Sequence, residues 1–138
     1  MADHAGTGLT IGALADRTGV HLETIRYYER IGLIAAPARS PAGHRRYDME
    51  AVRRLTFVRR CRDLGFPLES IAAMLSLVDR QAVSCCEVQG IVDHHLAAVR
   101  VKLADLQRLE QALSRMLGTC PGDERPDCPI LEELMDEA

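Results

Sequence analysis

Two cysteines near the end of this 138-residue chain stand where they could bind a metal ion or react with each other. Cys120 and Cys128 are eight residues apart in "GTCPGDERPDCPI", and each is followed by a proline. Because the prolines and Gly122 limit the conformations of this loop, it loses little freedom when it clamps a ligand. Thiolates select soft or borderline ions. The same pair could instead form a disulfide or a reversible redox switch, so the spacing leaves three alternatives.

The cysteine count and the chain start favour metal or redox chemistry over a structural disulfide. The chain has five cysteines, an odd number, and its first ten residues lack the basic and apolar segments of a signal peptide. No run approaches the roughly 20 apolar residues that a membrane span needs. We therefore expect a cytoplasmic protein with no membrane partner, in a compartment that keeps thiols reduced.

Charge is distributed unevenly along the chain. Residues 1–70 carry eleven arginines and eight acidic residues, whereas residues 71–138 carry six basic and twelve acidic residues. This asymmetry indicates that only the first half meets nucleic acid, although a small positive excess is weak evidence by itself.

Two short helices are predicted at the start of the chain. In "LTIGALADRTGV", Thr10 is a plausible N-cap and Gly19 closes the turn, and "HLETIRYYERIGLI" ends at Gly32. The pair is typical of a helix-turn-helix, although an ordinary helical hairpin has the same pattern. The helix-turn-helix interpretation is favoured because the second helix carries donors for phosphates and base edges: Thr24, Arg26, Tyr27 and Arg30.

The next segment, "APARSPAGHRRYD", predicts a β-hairpin wing. Pro37, Pro41 and Gly43 exclude a helix. Basic and aromatic residues around the turn favour a phosphate-contacting wing over a solvated loop: Arg39, His44, Arg45, Arg46 and Tyr47.

A second helical pair follows, and then one long helix. Asp48 is a good N-cap for a helix that ends at Gly65, and Pro67 opens the next one. Cys61 lies on the first of these helices, where a lone cysteine is usually a small core residue.

From Cys86 to Leu117, apolar residues recur every seven positions, with Gly118 expected just after the helix end. A helix of about 48 Å cannot bury that stripe alone, so we expect a second copy of the chain as its partner.

A short helix from Pro129 to about Met135 completes a mainly α fold. The predicted domains are a winged helix-turn-helix DNA-binding domain with its connecting helices (1–80), a dimerisation helix (85–118), and a metal-binding loop with the final helix (119–138). No motif pairs a nucleophile with a base and an orienting acid, so we do not expect an enzyme.

This order of elements resembles the MerR family of bacterial transcription regulators. The residues that carry the resemblance are "LTIGALADRTGV…ETIRYYERIGLI", "RRYD", "LTFVRRCRDLGFPLESI" and "CPGDERPDCPI". It implies a homodimer with an antiparallel coiled coil that binds a palindromic operator in an over-long promoter spacer. On inducer binding the dimer distorts the DNA and realigns the promoter for RNA polymerase. The DNA-binding residues implied by position are Arg17, Thr24, Arg26, Tyr27, Arg45, Arg46 and Tyr47.

The resemblance also implies a third metal ligand. In this family the start of the partner subunit's dimer helix lies beside the metal loop, with serine in copper sensors and cysteine in sensors of divalent ions. Here that position falls on Cys85, with Cys86 adjacent as a possible further ligand. We therefore expect a site made by Cys120 and Cys128 of one subunit with Cys85 of the other, twice per dimer.

Three thiolates suit Hg(II) or Pb(II), and Cd(II) with one more ligand, so we rank these ions first. Cu(I) or Ag(I) comes second, because two thiolates suit a linear monovalent ion and the loop is similar to that of copper-efflux regulators. Zn(II) comes last, because the loop has no histidine and has Pro121 where zinc sensors carry another cysteine. The remaining alternatives are a structural zinc site and a Cys120–Cys128 redox switch.

Overall fold

The structure, a computed structural model, describes residues 8–39, 41–43 and 45–137. Over these residues the chain forms six helices and one two-stranded hairpin, which confirms the mainly α class. The elements in order are α1 Ile11–Thr18, α2 Leu22–Arg30, β1 Ala38–Arg39, β2 Arg45–Arg46, α3 Met49–Asp63, α4 Leu68–Asp79, α5 Cys85–Thr119 and α6 Pro129–Met135. No helix of this described part is both long and apolar enough to cross a membrane.

The predicted helix-turn-helix is present as α1 and α2. Thr10 caps α1, since its Oγ1 accepts a hydrogen bond from the backbone N–H of Ala13 at 3.1 Å. The helix ends at Gly19, whose φ of 73° is a left-handed conformation that glycine adopts without a steric penalty. The N-cap of α2 is His21, whose Nδ1 accepts from the N–H of Glu23 at 3.1 Å. A histidine cap is uncommon, and the sequence did not predict it.

The predicted wing is an antiparallel hairpin in which Ala38 pairs with Arg46 and Arg39 with Arg45. Its second strand continues into a bridge between Leu9 and Tyr47, with N–H···O distances of 2.7 and 2.8 Å. The wing is therefore fastened to the segment that leads into α1. His44, which the sequence placed in the wing turn, lies outside the described residues.

The core of the first half is formed by α1 to α4, in which α1 packs against α2 and α3, and α3 packs against α4. Its most buried side chains are Leu14, Ile25, Leu55, Val58 and Ile71. Cys61 is also in this core, as predicted, and burial raises the pKa of its thiol above the usual value.

Three arginines of α3 bind backbone carbonyls of the protein itself. Arg54 donates to the carbonyl oxygen of Leu33 at 2.8 and 3.2 Å and pairs with Asp79 at 2.6 Å. Arg59 donates to the carbonyl of Thr18, the last residue of α1, at 3.2 Å. Arg62 donates to Phe66 at 2.9 Å. Part of the positive charge of the first half therefore stabilises the fold.

Helix α5 is described along its whole length and contains no buried residue. Its first turns are nevertheless attached to the core, because Val88 and Ile91 pack against it. The chain divides into two compact units after Ile91, so the boundary falls inside α5 rather than before it. The helix also continues through Gly118 to Thr119, slightly beyond its predicted end.

The second unit starts at Val92 and carries the predicted apolar stripe, which is exposed in the single chain. The exposed members of the stripe include Val92, Leu96, Val99, Leu103, Leu106, Leu113 and Leu117. This unit ends with the cysteine loop and α6, which has the predicted limits.

Candidate functional site

The exposed face of α2 presents a cationic and aromatic group. Tyr27 is 42% exposed, and the guanidinium of Arg30 lies 5.8 Å from the centre of its ring. Arg26 is exposed and pairs with Glu23 at 3.5 Å, an interaction between exposed side chains that contributes little to stability. Thr24, the remaining predicted contact on α2, is half-buried. Such a helix fits the major groove, where cations bind phosphates and polar side chains contact base edges.

The other predicted DNA-binding arginines lie on α1 and in the wing. Arg17 is exposed in the last turn of α1. Arg46 is half-buried, and its Nη1 donates to the carbonyl oxygen of Gly8 at 3.3 Å. The side chain of Arg45 lies outside the described part of the structure. Arg39 is exposed on β1 and donates to Gly43 across the turn at 2.9 Å, which holds the wing closed.

Tyr47 is the predicted contact that needs correction. Its side chain is 2% exposed and its hydroxyl donates to Oε2 of Glu29, on α2. A ring enclosed in the core cannot reach a groove or a phosphate in this structure. Tyr47 therefore lies in the core of the first half rather than on an exposed surface.

The four candidate metal ligands are all free thiols that solvent can reach. Cys85 and Cys86 are exposed in the first turn of α5, and Cys120 and Cys128 are half-buried at the two ends of the loop. Within one chain, the described residues contain no group of three or more His, Cys, Asp or Glu side chains placed to hold a metal ion. The loop thus offers two soft donors.

The loop between the cysteines is organised by an ion pair. Arg125 donates from Nε to Oδ1 of Asp123 at 2.9 Å, from Nη2 to Oδ2 at 3.1 Å, and from its backbone N–H to Oδ1 at 3.1 Å. These bonds lower the pKa of Asp123 below its usual value and raise that of Arg125. Cys120, one of the candidate ligands, makes a smaller contribution to the raised pKa of Arg125.

Sequence analysis missed the role of Glu29. It is an acidic residue on a helix whose exposed face is basic, and the structure turns it toward the buried Tyr47. A carboxylate among the predicted phosphate donors was the available signal, because it would repel DNA if it faced outward.

Two family models match the chain. Residues 9–78 match the MerR helix-turn-helix family regulatory protein, and residues 52–116 match the region described as MerR, DNA binding. The first match spans α1 to α4 except for the last residue of α4, and the second runs from α3 into α5.

Individual relatives cover almost the entire chain. The heavy metal-dependent transcription regulator 2 of Rhizobium meliloti is 40% identical over 91% of this chain and 86% of its own length. The mercuric resistance operon regulatory protein of Bacillus cereus is 41% identical over 91% and 96%, respectively. The transcription regulator PbrR691 of Ralstonia metallidurans, solved in complex with lead(II), is 38% identical, covers 91% of this chain and 98% of its own, and superposes with a TM-score of 0.80. The chain belongs to the MerR family of helix-turn-helix regulatory proteins.

Proposed function

We propose that this protein is a metal-responsive transcription regulator that binds promoter DNA as a homodimer and activates transcription when a soft divalent ion binds. The observation that carries the proposal is the set of thiols. Cys120 and Cys128 flank one constrained loop, and Cys85 and Cys86 are exposed at the start of α5. Within one chain, the described residues contain no complete metal site.

A homodimer is supported by α5. A stripe of exposed leucines and valines along a helix of 35 residues is unfavourable in water, because each large aliphatic side chain gains about 1.5–3 kcal/mol on full burial. A second α5 packed antiparallel would cover the stripe of both copies. Pairing also lets the start of one α5 meet the loop of the other chain.

The identity of the ion is supported by the donor set and by the relatives. Three thiolates suit Hg(II) or Pb(II), and also Cd(II) with one more ligand. One relative is named for mercury resistance, and a solved relative was crystallised with lead(II). Cu(I) or Ag(I) is the alternative if the loop acts alone, and Zn(II) ranks below both.

Cys120 and Cys128 would supply two thiolates and Cys85 of the partner subunit the third, so that the bound ion links two chains. Linkage can act as a switch only if the dimer has two states that differ in metal affinity. In the state that binds the ion, the helix-turn-helix units would be set at an angle that distorts the operator and aligns the promoter for RNA polymerase.

The direct test is a metal titration of reduced, metal-free protein, followed by thiolate-to-metal charge-transfer absorption. We expect one Hg(II) or Pb(II) per subunit with a three-sulfur spectrum. Cys85→Ser should abolish that spectrum and leave operator binding intact, whereas Cys86→Ser, at the adjacent exposed position, is the matched control and should retain it. If Cys85→Ser binds as well as wild type and Cu(I) outcompetes the divalent ions, the protein is a copper-type sensor.

A heterodimer tests whether the site crosses the subunits. One subunit carries Cys85→Ser and the other carries Cys120→Ser with Cys128→Ser, and two affinity tags select the mixed dimers. We expect one three-sulfur site per mixed dimer, because the intact loop of one chain meets Cys85 of the other. Absence of a three-sulfur site in the mixed dimer would refute the cross-subunit arrangement.

Oxidation of metal-free protein by peroxide is a parallel control, since promoter activation under that condition would indicate a redox switch.

A further inference from the structure

The wing and α2 meet at Tyr47, which is held by three different parts of the chain. Its backbone forms both hydrogen bonds of the bridge to Leu9, at 2.7 and 2.8 Å. Its side chain lies in the core and its hydroxyl donates to Glu29 on α2. On one side it directly follows β2 of the wing, and on the other it precedes Asp48, the N-cap of α3.

Glu29 carries a negative charge on α2, so the direction of its carboxylate affects how that helix can approach phosphates. It follows Tyr28, a core residue, and precedes Arg30, which lies against the exposed Tyr27 ring. The bond from the Tyr47 hydroxyl draws this carboxylate toward the base of the wing and away from the face that would meet phosphates. It therefore joins the last turn of α2 to the strand that carries Arg45 and Arg46.

We propose that Tyr47 is a positioning residue for DNA recognition, which fixes the wing relative to α2 through its hydrogen bond to Glu29. Contacts by the wing and by α2 must be made simultaneously to add their free energies, and a wing free to shift would lose part of that sum to ordering when DNA binds. The inference rests on the DNA-binding function alone and does not depend on the metal site.

The experiment uses the full-length dimer and a duplex that the wild-type protein selects from random DNA. Affinity is measured as a function of salt for wild type and Tyr47→Phe, which keeps the buried ring and removes only the hydroxyl. We expect binding to weaken about five- to tenfold, the size of the net contribution of one typical intramolecular hydrogen bond. The slope of log affinity against log salt should be unchanged, because no phosphate contact is lost.

Further variants separate positioning from simple destabilisation. Glu29→Gln retains an acceptor for the hydroxyl and should bind close to wild type, whereas Glu29→Ala should resemble Tyr47→Phe. The double variant Glu29→Ala with Tyr47→Phe should be no weaker than Glu29→Ala alone, because both changes remove the hydrogen bond between these two residues. Val58→Ala, a fully buried change in α3, is the stability control and should lower the melting temperature without weakening DNA binding.

Hydroxyl-radical footprinting of the same complexes shows whether the contacts of the wing remain in the bound state. In Tyr47→Phe at saturating protein, protection should persist both at the phosphates contacted by the wing and at those flanking α2, because the cost of ordering the wing lowers affinity without removing a contact. Three results would each overturn the inference. The first is wild-type affinity in Tyr47→Phe, and the second is a salt slope reduced by about one, as expected for a lost phosphate contact. The third is an additive effect in the double variant. If the wild-type protein selects no duplex, the DNA-binding function itself fails and takes this inference with it.

Discussion

Replacing Gly19 with alanine should destabilise the protein by two separable effects. Gly19 ends α1 with φ at 73°, where an L residue pays roughly 1–2 kcal/mol. A Cβ there would also clash with Nη1 of Arg59. Because Nη1 is the far end of a flexible side chain, Arg59 would move and give up its hydrogen bond to the carbonyl of Thr18.

The second effect can be estimated from that bond. A hydrogen bond from a charged group is worth about 1.5–3 kcal/mol, and the Arg59 side chain is 51% exposed, so we take about 1 kcal/mol. The total for Gly19→Ala is then about 2–3 kcal/mol.

Gly32 is the matched control, because its φ is 84° and a Cβ there would meet nothing within 4 Å. Gly32→Ala should cost only the backbone term, about 1–2 kcal/mol.

The assay is urea unfolding followed by circular dichroism, at one fixed subunit concentration because dimer stability depends on concentration. Both variants are measured in the wild-type background and with Arg59→Ala. The additional cost of Gly19→Ala over Gly32→Ala should disappear in the Arg59→Ala background, since the clashing group is absent. Equal costs in the wild-type background, or an additional cost that persists without Arg59, would refute the reasoning.

Three further predictions concern other parts of the chain. Leu106→Glu places a charge on the exposed stripe of α5 and should shift the protein toward monomer in sedimentation velocity, whereas Gln107→Glu, one position along, should not. Cys61, whose thiol pKa is raised by burial, should be alkylated by iodoacetamide more slowly than the loop cysteines until urea unfolds the protein, as followed by mass spectrometry. Arg125→Ala should return the lowered pKa of Asp123 to its usual range in a carboxyl NMR titration. Because the folded-state pKa is lowered, any stability from this pair is present at neutral pH and lost as pH falls through that pKa; an unshifted Asp123 in wild type would contradict this.

Helix starts and ends were predictable where single residues dictate them. Thr10 and Asp48 cap their helices through side-chain oxygens, and Gly19 provides the left-handed end that closes α1. The same rule failed at Gly118, which stays helical, because a glycine permits a helix end but does not impose one.

The candidate site was less predictable, because burial and pairing arise from tertiary contacts. Tyr47 follows two arginines in sequence and was expected on the DNA-facing surface, yet packing of the wing base encloses it. Arg54 and Arg59 belong to the positive charge that suggested DNA binding, but carbonyls on distant segments engage both. Periodicity places an arginine on a helix face without revealing which carbonyl will lie opposite it.

Val88 and Ile91 attach the first turns of α5 to the same compact unit that holds the helix-turn-helix. Cys85 therefore belongs to the unit that contains the helix-turn-helix, whereas Cys120 and Cys128 belong to the other unit of the chain. An ion shared between Cys85 and the loop of a second chain would link the DNA-binding unit of one subunit to the second unit of the other. Displacement of whole units is one of the general ways in which a bound ligand is coupled to a distant surface, and it does not require a helix to unfold.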